Sequence, residues 1–345
     1  MKRLATLVFS LVLLLVPQRI HRLLLLTQHL QSQQLPLHLN DLLLHRRQHH
    51  VAVGHSLGIA QLYSQRCVFP PHLRFVNYGG SGPEKPLPTV AVPPELDWDM
   101  WCGPAPLRPF NGGDPRTPTI GAGNRGIHPR GFRNYLDYAN GTLGDWGIHW
   151  LDQVLWVTGE KYPKRIFSTG GRPIAGPAVL SATEQTTDAP DHQLATYQFD
   201  KFSVQWEHRR FANNNTDKGE NVGCYFYGTK GIFHMGWQKG WTFYPSDAKQ
   251  PTITEEPKLN APDSQNIKEL FADFLAAIRS DGKIKPVSDI GEVHLSTNMA
   301  LLGMASLKLG RSLEWDGAKE VIVGDAAANA LLRRDYRKGY EYPKA

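Results

Sequence analysis

The sequence predicts an α+β fold with a large, mostly antiparallel sheet and helices packed on one of its faces. Strand-like segments come first along the chain and helical segments come last, an order that is typical of α+β domains. Gly228-Thr229-Lys230-Gly231 has the composition of a turn between two paired strands, which indicates a β-hairpin. The strand-like segments are residues 73–78, 165–168, 193–199, 203–209, 222–227 and 231–235.

Three helices are predicted in the last third of the chain. Residues 264–279 carry apolar side chains at i, i+3, i+4, i+7, i+8 and i+11, which predicts an amphipathic helix. Residues 289–309 are predicted to form a second helix that ends at Gly310, because glycine commonly terminates helices. Residues 325–334 are predicted to form the third helix.

Two stretches between the strands are predicted to lack regular structure. Residues 83–94 are rich in proline, which favours extended backbone over helix. Residues 103–131 are rich in Gly, Pro and Asn and read as a long loop. Loops of this length in compact domains are usually functional or disordered.

Residues 1–75 differ in composition from residues 76–345 and are predicted to be a separate, poorly ordered segment. They are rich in Leu, Gln and His, and their apolar residues come in clumps without helical or strand periodicity. Residues 1–80 carry eight basic residues and one acidic residue, whereas the remainder carries 30 basic and 31 acidic residues. The net charge of +6 therefore does not indicate nucleic-acid binding by the globular part.

Three interpretations of residues 1–75 remain open. The start resembles the charged region and apolar run of a signal peptide, although Pro17 stands where a small-residue cleavage site is expected. The histidines of the segment could recruit a metal ion, but such tracts are weak evidence for a dedicated site. We favour the third interpretation, a frame error or wrong start. The apolar run of about 13 residues is too short for a transmembrane span.

The cellular compartment also stays open. A cytoplasmic protein is slightly favoured, because the start has neither a cleavage site nor a twin-arginine pair, and export is the alternative. The three cysteines, Cys67, Cys102 and Cys224, are far apart and form no Cys-x-x-Cys motif. Their spacing argues against a disulfide framework and against a zinc knuckle, so reduced structural thiols are expected.

Residues 121–126 match the pattern Gly-x-Gly-x-x-Gly, which is typical of dinucleotide-binding loops. Such a loop must join a buried strand to a helix, so that the pyrophosphate meets the helix N-terminus. The preceding residues 114–120 contain two prolines, and the following residues include Pro129 and Gly131. Because prolines disrupt both the strand and the helix, we interpret the match as a glycine-rich loop without a cofactor.

The strongest functional signal lies within residues 141–152. A short helix is predicted to begin near Asp145 and to end before Gly159, and it places Asp145 beside His149 at i, i+4 and His149 beside Asp152 at i, i+3. A carboxylate next to an imidazole stabilises the cationic ring, which suits proton transfer near neutral pH. Two alternatives stay open: an aspartate that only caps the helix beside a structural histidine, and a metal site with three ligands.

This stretch resembles the Gly-Gly-x-Leu-x-Asp-x-Gly-x-His-x-x-Asp signature of the Gfo/Idh/MocA (glucose–fructose oxidoreductase / inositol dehydrogenase) family of oxidoreductases. The resemblance extends over roughly residues 76–342. It implies that Asp145 and His149 are the catalytic aspartate and histidine. The other segments that resemble the family are residues 94–106, 228–231, 309–316 and 325–329.

The resemblance implies a dihydrodipicolinate-reductase-like C-terminal domain, with NAD or NADP as cofactor and a small carbohydrate-like substrate. We expect four further residues near the motif to line a polyol pocket: Arg133, Tyr135, Tyr138 and Asp152. We also expect a homo-oligomer formed through the sheet face. The tryptophans expected in that sheet, some of them at the subunit contact, are Trp206, Trp237 and Trp241.

The sequence departs from the family because nothing resembles a complete Rossmann domain. Glu84-Lys85-Pro86 matches a family motif whose lysine is catalytic, but it follows a strand of the other domain, and we interpret it as coincidence. We therefore expect a truncated member that does not bind NAD(P) tightly, because hydride transfer needs a held nicotinamide. The alternatives are a non-catalytic carbohydrate-binding or oligomerisation module and a metal-dependent hydrolase or lyase.

Overall fold

The fold is taken from a computed structural model, which describes residues 71–76, 82–112, 126–127, 131–211, 222–236, 240–255 and 267–342. The chain divides into two compact units. The larger unit comprises residues 70–226 and 295–345, and the smaller unit includes residues 227–294. The glycine pattern at residues 121–125 and the tryptophan at position 237 lie outside the described residues.

The strands of the larger unit are β1 (Pro71–Val76), β2 (Leu87–Pro88), β3 (Arg165–Gly171), β4 (Glu184–Gln185), β5 (His192–Gln198), β6 (Ser203–Arg209), β7 (Val222–Gly228), β11 (Leu313–Asp316) and β12 (Val321–Ile322). Seven of them form a sheet in the order β7-β1-β6-β5-β3-β11-β12, and β2 pairs with β4 in a separate ribbon. In the sheet, β1 and β6 are parallel, and the other neighbouring strands are antiparallel.

The alternation of buried residues along β5 and β6 shows which face of the sheet packs into the core. Ala195 and Tyr197 of β5 are fully buried, as are Val204 and Trp206 of β6. Side chains two residues apart on a strand point to the same face, so these residues share the core face. Trp206 is 0% exposed and is therefore unavailable to a partner subunit. The expected sheet-face oligomer stays a prediction.

Among its described residues, the larger unit contains four α-helices: α1 (Trp98–Cys102), α2 (Ile148–Thr158), α4 (Ile290–Leu309) and α5 (Ala326–Ala330). The C-terminal part of α4 packs on the sheet through small residues. A Cβ atom at Gly303 would lie 2.5 Å from the Tyr197 hydroxyl, and the Ser306 hydroxyl accepts a hydrogen bond from the Ser168 backbone N–H at 2.9 Å. Close approach of helix and strand therefore depends on the absence of a side chain at Gly303.

A buried ion-pair network ties three loops of the larger unit together. Arg108 donates through Nε to Asp137 at 2.7 Å and through Nη2 to Asp188 at 2.6 Å. Asp188 also accepts the backbone N–H of Leu136 at 2.6 Å. The side chains of Arg108 and Asp188 are only 11% and 10% exposed. Charge-assisted hydrogen bonds thus hold all three loops, and water screens the Arg108–Asp188 pair least, because the Asp137 side chain is 37% exposed.

Within the described residues, the smaller unit contains an antiparallel three-stranded segment and one amphipathic helix. The strands are β8 (Gly231–Gly236), β9 (Trp241–Pro245) and β10 (Ile253–Glu255), and the helix is α3 (Ile267–Arg279). A turn at Thr229 and Lys230 links β7 to β8, as the glycine-bounded motif predicts. Asp273 of α3 accepts the backbone N–H of Val287 at 2.8 Å and so fixes the chain that follows the helix.

The predicted α+β class with a mainly antiparallel sheet is confirmed. The predicted strand at residues 203–209 agrees with β6, and the predicted long helices agree with α3 and α4 where the structure describes them. α1 was not predicted; it lies between the two stretches that were expected to lack regular structure, and the Asp97 side chain caps it by accepting the backbone N–H of Met100. No helix among the described residues is long and apolar enough to cross a membrane.

The helix predicted at residues 325–334 is shorter in the structure and stops at Ala330. Its start is as expected, because Asp325 caps it by accepting the backbone N–H of Ala328 at 2.9 Å. Beyond Ala330 the chain turns away, and Arg334 donates to the Asn140 side chain at 2.7 Å. The chain after Ala330 is thus held by a hydrogen bond to the loop that contains Asn140 instead of continuing the helix.

Candidate functional site

The glycine-rich motif folds into a π-helical segment that leads directly into α2. The segment spans Leu143–Gly147 and contains Asp145, while His149 lies in the first turn of α2. Gly141 begins the motif with φ of +62°, a conformation that favours glycine, so the motif needs glycine at this point. A π-helical turn is wider than an α-helical one and often occurs at functional sites. The position of Asp145 relative to His149 therefore differs from that of two residues at i and i+4 in a regular α-helix.

Asp145 is held by Arg133 and not by the imidazole beside it. Arg133 lies in a short 3-10 helix (Phe132–Asn134), and its Nε donates to Oδ1 of Asp145 at 2.9 Å. The two side chains are 24% and 29% exposed, so the pair is accessible to a ligand at the protein surface. The structure thus brings together two residues that the sequence analysis assigned separately, one as catalytic and one as substrate-binding.

His149 is a half-buried residue in the first turn of α2. Burial lowers its pKa below the ordinary value, and the opposing attraction of the Asp145 carboxylate is the smaller effect. Its Nδ1 is buried and has no hydrogen-bond partner among the described residues. The Asp145 carboxylate thus stabilises the cationic ring, as the sequence predicts, but desolvation of the ring has the larger effect and favours neutral imidazole.

Asp152 lies on the same helix but is exposed, and it accepts a hydrogen bond from the Ser296 hydroxyl at 3.0 Å. That bond links α2 to α4. The described residues contain no group of three His, Cys, Asp or Glu side chains that could hold a metal ion. The metal site with Asp145, His149 and Asp152 as ligands therefore has no geometric support in this part of the chain.

Tyr135 belongs to the hydrophobic core, which corrects the expectation that it lines an open pocket, whereas Tyr138 is partly buried against that core and its pocket role stays a prediction. Tyr135 is 0% exposed, and its hydroxyl accepts from Nδ2 of Asn111 at 2.7 Å. The Tyr138 hydroxyl donates to the Pro106 carbonyl at 2.7 Å. Burial raises the pKa of both hydroxyls above the ordinary value. Both rings pack in the cluster of Trp98 and its neighbours, and the full burial of Tyr135 makes its ring unavailable to a ligand.

The Glu84-Lys85-Pro86 tripeptide has a structural role that the sequence did not reveal. The Glu84 side chain is 5% exposed and pairs with Arg172 at 3.0 Å. It also accepts from the Thr187 hydroxyl at 2.7 Å and from the Thr187 backbone N–H at 3.0 Å. Lys85 is exposed. Glu84 is thus the buried residue of the tripeptide, and its ion pair and hydrogen bonds connect two loops.

The described residues do not fit a dinucleotide. Such a cofactor needs a parallel strand that passes through a glycine-rich turn into a helix, whose N-terminus meets the pyrophosphate. β1 and β6 pair in parallel, but along the described chain β1 leads to β2 and β6 leads to β7. No step of a reaction is therefore assigned to a bound nicotinamide.

The chain is similar to several solved structures at low identity. It resembles the transcriptional regulator Gal80p from Kluyveromyces lactis (14% identity, TM-score 0.44, 75% of this chain and 58% of that chain). It also resembles an NAD-binding protein from Listeria innocua (14%, 0.43, 74% and 58%). A third is an oxidoreductase from Agrobacterium radiobacter in complex with NAD+, L-tartaric acid and magnesium (12%, 0.38, 51% and 49%).

The chain spans less than two thirds of the length of each of these structures. No curated protein shows a significant match to it. The model of the Gfo/Idh/MocA oxidoreductase family, C-terminal alpha/beta domain, matches residues 77–167 and 190–342, which is well over half of the chain. The chain therefore belongs to the Gfo/Idh/MocA oxidoreductase family through that C-terminal domain.

Proposed function

We propose that this chain supplies the substrate-binding and proton-transfer half of an oxidoreductase site that acts on a sugar, polyol or related hydroxy compound. The observation that carries the proposal is the buried Nδ1 atom of His149, which has no hydrogen-bond partner among the described residues. The ring also interacts electrostatically with Asp145, the ion-pair partner of Arg133. Membership of an oxidoreductase family supports the reaction class.

The electrostatics of the site suit removal of a proton from a substrate hydroxyl. A neutral imidazole can accept that proton, whereas a ring that is already protonated cannot. Burial keeps His149 neutral, and the negative charge of Asp145 favours the imidazolium that forms when the proton arrives. Arg133 fixes the Asp145 carboxylate through a charge-assisted hydrogen bond. In the reverse direction the same imidazolium returns the proton.

Oxidation of the alcohol also requires an acceptor for the hydride, which NAD or NADP supplies when bound. The described residues do not form a pocket for such a cofactor, so in this proposal the chain alone binds it weakly. The residues of the chain orient the hydroxyl compound and handle its proton. Turnover then depends on a cofactor site outside the described residues.

The experiment measures sugar and NADH binding to the full chain. We expect a panel of sugars and polyols to raise the melting temperature of the unaltered chain, and we expect His149→Asn to abolish that rise. His294→Asn is the matched control, because His294 is an exposed histidine on α4, and it should leave the rise unchanged. Absence of any rise for the whole panel would contradict the proposal.

A fluorescence titration with NADH decides which form of the proposal holds. Tight NADH binding by the purified chain would show that a cofactor site exists outside the described residues and would refute the expected truncation. Sugar binding without NADH binding would favour a non-catalytic carbohydrate-binding module. The observation in favour of that second function is the lack of a strand–glycine turn–helix unit in the described residues.

A further inference from the structure

A second buried polar group lies one helical turn beyond the proposed base. Gln153 of α2 has a buried Oε1 atom with no hydrogen-bond partner among the residues that the structure describes. Leaving a buried acceptor unsatisfied costs about 1–3 kcal/mol, so native proteins rarely tolerate it without a reason. His149 Nδ1 is unsatisfied in the same way. Because these two atoms lie four residues apart on α2, a single ligand can satisfy both.

The spacing of the two residues places them on one face of α2. Both lie within the α-helical part (Ile148–Thr158), and residues at i and i+4 have Cβ atoms about 5–6 Å apart. The residues between them face elsewhere: Trp150 and Leu151 are buried in the core, and Asp152 accepts from Ser296. The stripe formed by His149 and Gln153 therefore carries two buried hydrogen-bonding atoms that have no partner among the described residues.

The chemistry of the stripe selects the class of group that it can bind. An amide oxygen only accepts hydrogen bonds, so its missing partner must be a donor. A neutral imidazole pairs with a group that donates to one nitrogen or accepts from the other. A hydroxyl satisfies both atoms, whereas an ionised carboxylate has no proton to donate to the amide oxygen. Two hydroxyls on adjacent carbons of one molecule match two acceptors on one helix face.

We propose that Gln153 is a specificity-determining residue whose Oε1 accepts a hydrogen bond from a second hydroxyl of the substrate, while the first hydroxyl binds at His149. The site thereby selects compounds with adjacent hydroxyls over simple alcohols and over hydroxy acids that offer only one hydroxyl. This inference rests on the proposed function, because it names the substrate class of the same site.

The test compares D-glucose with its monodeoxy analogues by calorimetry on the full chain. Gln153→Met keeps the length of the side chain and removes the acceptor. In the unaltered chain we expect at least one monodeoxy analogue to bind about tenfold more weakly than glucose, the usual effect of one lost hydrogen bond. In Gln153→Met that analogue and glucose should bind equally. Gln198→Met, at an exposed glutamine of β5, should keep the tenfold preference.

A second variant tests whether the effect of Gln153→Met on sugar affinity is purely structural. Gln153→Glu restores an acceptor, so it should restore the preference for glucose even if its absolute affinity falls. Equal weakening of all sugars in Gln153→Met, or an unchanged preference, would overturn the inference and leave the proposed function intact. Failure of the unaltered chain to bind any sugar would overturn both, and the two failures are therefore distinguishable.

Discussion

The Arg108 network provides the sharpest test of how the site-bearing loops are held. Arg108 forms short ion pairs with Asp137 and Asp188, and its guanidinium lies 5.5 Å from the centre of the Tyr135 ring. The perturbation is Arg108→Ala, which removes the cation but leaves the carboxylates. Since Asp188 is only 10% exposed, its charge would remain largely buried without a partner.

The expected loss follows from burial. Removing one partner of a buried ion pair costs about 3–5 kcal/mol, because the remaining charge is uncompensated. Arg165 offers a matched control: it pairs with Glu314 at the same 2.6 Å, but the two side chains are 53% and 56% exposed. An exposed pair contributes about 0–1 kcal/mol. Arg108→Ala should therefore lower the free energy of unfolding by several kcal/mol more than Arg165→Ala.

The assay is urea denaturation followed by tryptophan fluorescence, with the free energy of unfolding obtained by linear extrapolation. Equal losses for Arg108→Ala and Arg165→Ala, at an unchanged denaturant slope, would refute the argument from burial. A double variant separates charge from packing. Arg108→Met combined with Asp188→Asn leaves no buried charge, so it should recover much of the stability that Arg108→Met alone loses.

Three further predictions concern other buried groups. Gly303→Ala should lower the free energy of unfolding by about 1–3 kcal/mol, because its Cβ would meet the Tyr197 hydroxyl, and Tyr197→Phe should relieve part of that loss in thermal melts. Burial lowers the pKa of His208 to about 3. The contribution of this residue to the free energy of unfolding should therefore be complete above a pH of about 6.5 and should fall by about 1.4 kcal/mol per pH unit as the pH drops towards 3. His208→Gln should flatten that slope. Glu84→Ala should destabilise the fold by about 3–5 kcal/mol, whereas Lys85→Met should leave the melting temperature unchanged.

The sequence predicts the regular elements well where the signal is local. The boundaries of β6 and the C-terminal ends of α2 and α4 follow from strand alternation, helix periodicity and terminating glycines, all of which act within a few residues. Gly159 illustrates this, because its left-handed conformation ends α2 where the pattern predicted. Family membership was also predictable, since the motif around Asp145 is a contiguous stretch.

The features that sequence reasoning missed depend on packing between distant segments. The sign of the His149 pKa shift depends on burial, which a helical spacing does not reveal. Tyr135 was expected to line a pocket because it precedes the motif, but it packs in the cluster of Trp98, 37 residues earlier in the chain, and its spacing from the motif does not reveal that contact. The partner of Asp145 is 12 residues away at Arg133, and the π-helical turn that brings them together has no simple sequence pattern. For α1 a signal existed, the Asp97 cap, but the neighbouring prolines obscured it.

If Gln153 on α2 is kept for binding, its replacement should raise the free energy of unfolding and lower the affinity for sugar. If its role is structural, its replacement should lower the free energy of unfolding. A glutamine that stabilises the core through hydrogen bonds would lose stability when changed to Met. Gln153 has no such partner for Oε1 among the described residues, so Gln153→Met removes an uncompensated polar atom and should raise the free energy of unfolding by up to about 1–3 kcal/mol. The same change should lower sugar affinity. Loss of stability together with loss of affinity would contradict this reasoning, because a residue kept for binding is expected to cost the free protein stability.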